Sequence, residues 1–388
     1  MRPLAASGGP PAPADGRLGT RCPSRLGGSN GMASSAARPV VREHHSAPDF
    51  VGTAVLGCCA VWALVCAAGR TARPEGVLLA VLAVAAGYAC GRIAGSLLPV
   101  AAATAAALAG LGLACTVPDG VSGHGGAHAA QFTLAVGAAC GAAWAARSAA
   151  LRLALRLLAV AITAMALVAG SAVGCVAGAL VLLCSLAVAR TRRRLPGLAG
   201  LALVAAVAVG GCWATAEDAL PGALSAPLRD RLGEHRVRLW HDAVQIAEHG
   251  PLRGAGPDRF GELSPTAQQS PAATDDTPYS APLQQAVGQG LPGLALLGMA
   301  FGWLLYALWR SPRRTPAVLT AAAALTALAV ESAFGNALSF PEVTAGAGLL
   351  AGLATARLPE MAPGSGPGPS PDPFAGEPPP LGPVRAAH

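Results

Sequence analysis

The chain has 388 residues, of which 53% are hydrophobic and only 12% charged, with a mean hydropathy of +0.49 and a formal net charge of +7. Soluble domains carry about 25% charged residues, so too few charges are present here to cover a water-facing surface; this argues against a soluble globular protein and for a membrane protein. All 27 basic residues are Arg, gathered at the ends of apolar runs, which marks membrane topology and argues against a nucleic-acid partner.

Residues 1–50 are rich in Gly, Pro, Ser and Arg without hydrophobic periodicity, and are expected to form a disordered cytoplasmic tail. Apolar runs follow at roughly 51–69, 76–91, 97–116, 130–146, 157–170, 172–189 and 197–215, predicting transmembrane spans 1–7 within residues 51–215. Ala, Leu, Val and Gly dominate them, and small residues let helices pack closely in lipid. Apart from Cys22, the Cys residues lie inside these runs, where thiols act as small hydrophobes. Arg147, Arg152 and Arg156 precede the stretch 157–189, and Arg190, Arg192, Arg193 and Arg194 follow it. If both clusters are cytoplasmic, the stretch crosses twice with a turn near Gly170 and Ser171; one long tilted helix is the alternative.

Residues 216–289 form the only long polar stretch between spans. Runs at 290–309, 316–335 and 343–356 predict spans 8–10 within 290–357, and a Pro/Gly-rich tail occupies 358–388. Arg310, Arg313 and Arg314 mark a cytoplasmic end, so 216–289 is expected outside and both termini inside, with Arg70 and Arg73 against the rule. The expected fold class is therefore all-α: a polytopic transmembrane helical bundle of about ten spans with one large extracytoplasmic loop.

Within that loop Leu228, Leu232, Leu239, Ala243 and Ile246 recur at helical spacing, predicting an amphipathic interfacial helix over 228–248 that Pro251 and the following glycines end. On it Arg236 and Trp240 stand one turn apart, so the guanidinium can lie over the indole, and Arg238 and Asp242 form a second such pair. Spacing alone leaves interfacial anchoring and ligand binding both open.

The run Arg236-Val237-Arg238-Leu239-Trp240, then His249-Gly250-Pro251-Leu252-Arg253-Gly254-Ala255-Gly256-Pro257-Asp258-Arg259-Phe260, then Leu283-Gln284 and Gln289-Gly290-Leu291-Pro292-Gly293-Leu294, resembles the O-antigen ligase/polymerase family. The resemblance implies a ligase or polymerase that transfers a glycan from a polyprenyl diphosphate carrier to a glycan or lipid acceptor at the outer face of the cytoplasmic membrane, among membrane lipids and with no cofactor or metal. Such transfer needs cations on the diphosphate and a base for the acceptor hydroxyl. Arg236 is the first choice for the diphosphate, because guanidinium binds phosphate bidentately. Trp240, Arg253 and Arg259 stand beside it as substrate-binding candidates, and Gly254 and Gly256 either turn the chain tightly or let a diphosphate approach the backbone.

Three positions depart from the family pattern. Tyr279-Ser280 stands where the family commonly has His-Asn, Ser171-Ala172 where it often has Ser-Arg, and Gly288 where Glu is frequent. The family's His is the base toward the acceptor, whereas a phenol of pKa about 10 is a poor base at neutral pH. The base is then Tyr279 itself, or it has moved to His241, His249, Asp275 or Asp276, or catalysis is impaired. An impaired relative that binds glycan lipids or scaffolds partners therefore stays open, as does a transporter or flippase. His124 and His128 stand four apart in a Gly-rich segment that does not favour a fixed metal pair. Glu331 falls inside an apolar run, where a carboxylate either marks function or reaches the outer interface.

The charge distribution carries a topological prediction: with the native Cys controlled for, Cys introduced at Ser270 reacts with an impermeant thiol reagent on intact cells. Labelling that requires lysis would place the loop inside.

Overall fold

The computed structural model describes residues 47–68, 75–116, 125–190, 193–219, 232–269 and 277–357. Among the described residues there are helices and 3-10 turns but no strand. The helices are α1 (Ala47–Ala67), α2 (Glu75–Leu97), α3 (Pro99–Thr116), α4 (Gly125–Ala145), α5 (Ala149–Val168), α6 (Ala172–Ala187) and α7 (Arg194–Ala216). After them come α8 (Glu234–His249), α9 (Phe260–Leu263), α10 (Pro265–Gln269), α11 (Ala281–Trp309), α12 (Thr315–Ala333) and α13 (Pro341–Thr355), with a 3-10 turn at Ala337–Ser339.

Each of the ten apolar runs becomes a helix, so the all-α polytopic bundle is the fold. Seven of them, α1, α2, α3, α5, α7, α11 and α12, are long and apolar enough to cross a membrane. The apolar α6, of 16 residues, and α13, of 15, are shorter. The two-helix reading of 157–189 holds. Gly170 takes φ +72°, which favours glycine, and the Ser171 side chain accepts from the Gly174 N–H at 3.3 Å, capping α6. A Cβ on Gly178 would lie 3.1 Å from Thr163 Oγ1, and the two residues are equidistant from the turn, so α5 and α6 run antiparallel.

Helix α4 is the central post. Residues 129–140 are buried without a break, and α3, α5, α6, α12 and α13 pack around them. By contrast Leu79, Leu82 and Ile93 on α2, Leu153 and Leu157 on α5, and Leu203 and Val207 on α7 are exposed, an outward apolar surface suited to lipid. Glu331 on α12 points toward this post. It is buried, and Thr133 of α4 donates to its Oε1 at 2.6 Å.

The closest helix pair is α2 with α13. Gly87, Gly91 and Gly95 on one helix and Gly348 and Gly352 on the other recur every four residues, so each set forms one groove without side chains. A Cβ at Gly91 would sit 2.3 Å from Leu349 O, and one at Gly352 the same distance from Tyr88 O, so the two backbones touch directly.

The Arg clusters lie at the bundle end opposite the loop, where they also close helix termini. Arg313 donates to Gly95 O at 2.7 Å and Ala356 O at 2.8 Å, Arg194 to Ser311 O at 2.7 Å, and Ser311 Oγ to Ala354 O at 2.7 Å. Carbonyls in the last turn of a helix have no partner within that helix, and these side chains supply one. Asp49 and Arg92 pair at the same end, and the Trp303 indole donates to Pro48 O at 2.8 Å.

The backbone contact between α2 and α13 makes a prediction. Gly91→Ala forces the helices apart and lowers stability by about 1–3 kcal/mol, read from denaturant unfolding in detergent. Gly57→Ala and Gly112→Ala meet open space and change stability by less than about 0.5 kcal/mol in the same assay.

Candidate functional site

Helix α8 begins later than the expected 228–248. Gly233 takes φ +82° and interrupts the helical path, so the helix runs over Glu234–His249; Leu228 lies outside the described residues. It stops where expected, at Gly250 and Pro251. Its apolar face is buried, with Leu239, Trp240, Ala243 and Val244 in a cluster with Cys212, Phe260, Leu283 and Val287, so protein from α7 and α11 covers this face.

Arg236 and Trp240 do not pair with each other as their spacing suggested. Trp240 is fully buried and its indole N–H donates to Pro278 O at 2.8 Å, which fastens the segment entering α11. Arg236 reaches past it. Its guanidinium lies 5.5 Å from the Tyr279 ring centroid and donates to Phe334 O, at the end of α12, at 3.0 Å. Tyr279 takes φ +48°, a backbone strain that the Trp240 bond on its preceding residue helps to hold. Asp242 accepts from Ser264 Oγ at 2.6 Å and Thr266 N at 3.0 Å, so it caps α10 instead of pairing with Arg238, which is exposed.

The electrostatics of Arg236 follow from this packing. Burial lowers its pKa from the ordinary arginine value, an effect that Tyr279 and Cys212 oppose. Among the described residues no carboxylate pairs with it, and one carbonyl and one ring face are its partners. A half-buried cation with so few partners is costly unless an anion completes its shell.

The glycine-rich turn after α8 is interlocked with α11. Ala255 N donates to Val287 O at 2.7 Å and Leu291 N to Pro251 O at 2.8 Å. Gly254 has φ +62°, and a Cβ there would lie 2.4 Å from Val287 O; Gly290 has φ +71°, and a Cβ would lie 2.6 Å from Pro251 O. Gly254 therefore lets the turn pass directly against the α11 backbone. Gly256, at φ +107°, continues the turn. Gly290 also kinks α11, separating 281–289 from the straight stretch that follows Pro292.

Arg236, Tyr279 and Trp240 are brought together, while among the described candidates His249, His241 and Arg259 have other partners. His249 is exposed, with Nδ1 2.7 Å from Gln245 O, and lies thirteen residues beyond Arg236 on α8, about 20 Å at 1.5 Å per residue. His241 Nδ1 is 3.1 Å from Ala216 O. Arg259 pairs with Glu262 at 3.2 Å, and Arg253 is exposed. Asp275 and Asp276 lie outside the described residues.

A cavity of about 850 Å³ lies between α1, α2, α7, α11, α12 and α13 and reaches the loop at Gly256–Asp258 and Thr277–Pro278. Val81, Val84, Ala205, Leu297 and Phe301 make apolar wall, while Gln284, Gln285, Gln289 and Asn336 contribute amides. The sequence reading missed the Phe334 carbonyl, which no side-chain pattern marks, and also Gln285 and Gln289. The run of Gln at 284, 285 and 289, opening an otherwise apolar helix, was the available signal.

The family model described as O-antigen ligase matches residues 157–298, from α5 through the loop into α11, as the loop motifs led one to expect. No curated protein matches the chain. The match spans 142 of the 388 residues, and together with the apolar helices it fits a multi-pass membrane protein.

Trp240→Phe removes the bond to Pro278 O while keeping most of the ring. The loss is expected to cost about 1–2 kcal/mol and to speed proteolysis and amide exchange around 277–280, with the transmembrane helices unchanged by circular dichroism.

Proposed function

We propose that the protein is a glycosyltransferase that transfers or polymerises a glycan from a polyprenyl diphosphate carrier at the outer face of the cytoplasmic membrane. The observation that carries this reading is Arg236, a half-buried guanidinium with no carboxylate partner among the described residues, inside the segment matched by the O-antigen ligase family. Its Phe334 bond and the Tyr279 ring hold the group, and its other N–H donors meet no carboxylate among the described residues. Guanidinium suits a diphosphate because its planar fork matches two phosphate oxygens.

The carrier divides between headgroup and hydrocarbon. Its diphosphate needs cations or water, and its tail needs an apolar surround. The cavity's apolar walls beside α1, α2 and α7 take the start of the tail, and the head stays at the loop end beside Arg236. In the reaction the bond between the sugar's anomeric carbon and the diphosphate oxygen breaks as the acceptor hydroxyl oxygen bonds to that carbon. The electron pair leaves with the diphosphate, whose charge Arg236 stabilises, and the hydroxyl proton passes to a base. Tyr279 is our choice for that base, because its side chain lies against Arg236. A second reading rests on the same contact: if Tyr279 serves only as a platform for the guanidinium, the protein binds glycan lipids without turning them over.

Purified protein incubated with a polyprenyl-diphosphate glycan and an acceptor should release polyprenyl diphosphate. Arg236→Lys keeps the charge and loses the fork, so release should fall about 10- to 100-fold, the worth of a charged hydrogen bond, while Arg238→Lys stays within about twofold. Tyr279→His should keep or raise turnover and Tyr279→Phe abolish it. Full activity in Arg236→Lys returns that residue to an anchoring role, and binding without release in every protein selects the second reading.

A further inference from the structure

The cavity carries an unused recognition surface. Gln284, Gln285 and Gln289 all line it where α11 begins. Gln289 is only 4% exposed, and neither its side-chain amide nor that of Gln285 hydrogen-bonds to any other described residue. Gln284, also a lining residue, accepts from Ser339 Oγ at 3.2 Å through its amide oxygen. An amide that lines a cavity and has no protein partner is one that a bound molecule or water completes.

The kind of molecule follows from charge and geometry. Among the described residues no Arg or His lines the cavity, and the charged lining residue is Asp258. An anion placed there meets no cation from the described wall and one like charge. Each amide offers a donor and an acceptor in one plane, a match for the paired hydroxyls of a sugar ring. The chain connects this surface to Arg236 in one step: Pro278 lines the cavity, and Tyr279 lies against the guanidinium.

We infer that the amide end of the cavity binds the sugar of the lipid-linked donor and selects an uncharged, hydroxyl-rich sugar over an acidic one. This rests on the reading that Arg236 takes the carrier diphosphate. With the diphosphate on Arg236, the sugar attached to it falls between Pro278 and the three glutamines, where each hydroxyl finds an amide and a carboxylate finds Asp258.

The test measures binding of three probes to the full chain in nanodiscs: farnesyl diphosphate, farnesyl diphosphate glucose and farnesyl diphosphate glucuronate. The glucose probe should bind about tenfold more tightly than either of the others, the worth of one or two added hydrogen bonds set against one like-charge contact. Gln285→Leu and Gln289→Leu should each bring the glucose probe to within about twofold of the bare carrier, and Asp258→Asn should narrow the gap between glucose and glucuronate. Gln285 is partly exposed, so its variant keeps the test alive if Gln289→Leu does not fold. Equal binding of the glucose and glucuronate probes, with the bare carrier still bound, overturns the selectivity and leaves the Arg236 reading standing. Failure of all three probes to bind removes both.

Discussion

The clasp between the glycine-rich turn and the kink of α11 is the constraint on which the candidate site depends. Two backbone hydrogen bonds, Ala255 N to Val287 O and Leu291 N to Pro251 O, join segments more than thirty residues apart. They can form only because Gly254 and Gly290 bring backbone against backbone, with no room for a Cβ on either. The clasp ties the end of α8 to the start of α11, and Trp240 adds a third tie at Pro278. With these fastened, Arg236, Tyr279 and the mouth of the cavity have fixed positions relative to one another. A loop of this length would otherwise have to order them at an entropic cost of about 1–2 kcal/mol for each residue.

Two kinds of arginine serve this protein. Arg194 and Arg313 reach several backbone carbonyls at the end opposite the loop, and Arg92 has Asp49. Their charges are met within the protein, and their work is to close helix ends. Arg236 has one carbonyl and one aromatic ring. The same chemical group is thus structural where its donors are filled and poised for a ligand where they are not. The distinction lies in the number of acceptors within reach, and the residue type does not reveal it.

Glycine spacing shapes the bundle in two opposite ways. On α2 and α13 it brings backbones into contact, so these helices close tightly with little side-chain volume between them. On α11 it bends the helix at Gly290, and the segment before the bend lines the cavity with Gln284, Gln285 and Gln289. Gln289 O also accepts from the Trp62 indole at 3.0 Å, which ties the bend to α1.

By itself the sequence determined the all-α membrane fold, the ten helical runs, the break at Gly170 and Ser171, and the stop of α8 at Gly250 and Pro251. These are properties of local composition, because apolar runs, Gly and Pro act within a few residues of their own position. It also pointed to Arg236 and Trp240 through their spacing. Tertiary structure alone decided what those residues touch. Arg236 lies against Tyr279, forty-three positions away, rather than against its helical neighbour, and it bonds a carbonyl of α12. Asp242 turns to α10, Glu331 to Thr133, and the glutamines of α11 to a cavity. Each of these partners comes from another segment of the chain, and which groups meet depends on how the segments pack, information that periodicity along one segment does not contain.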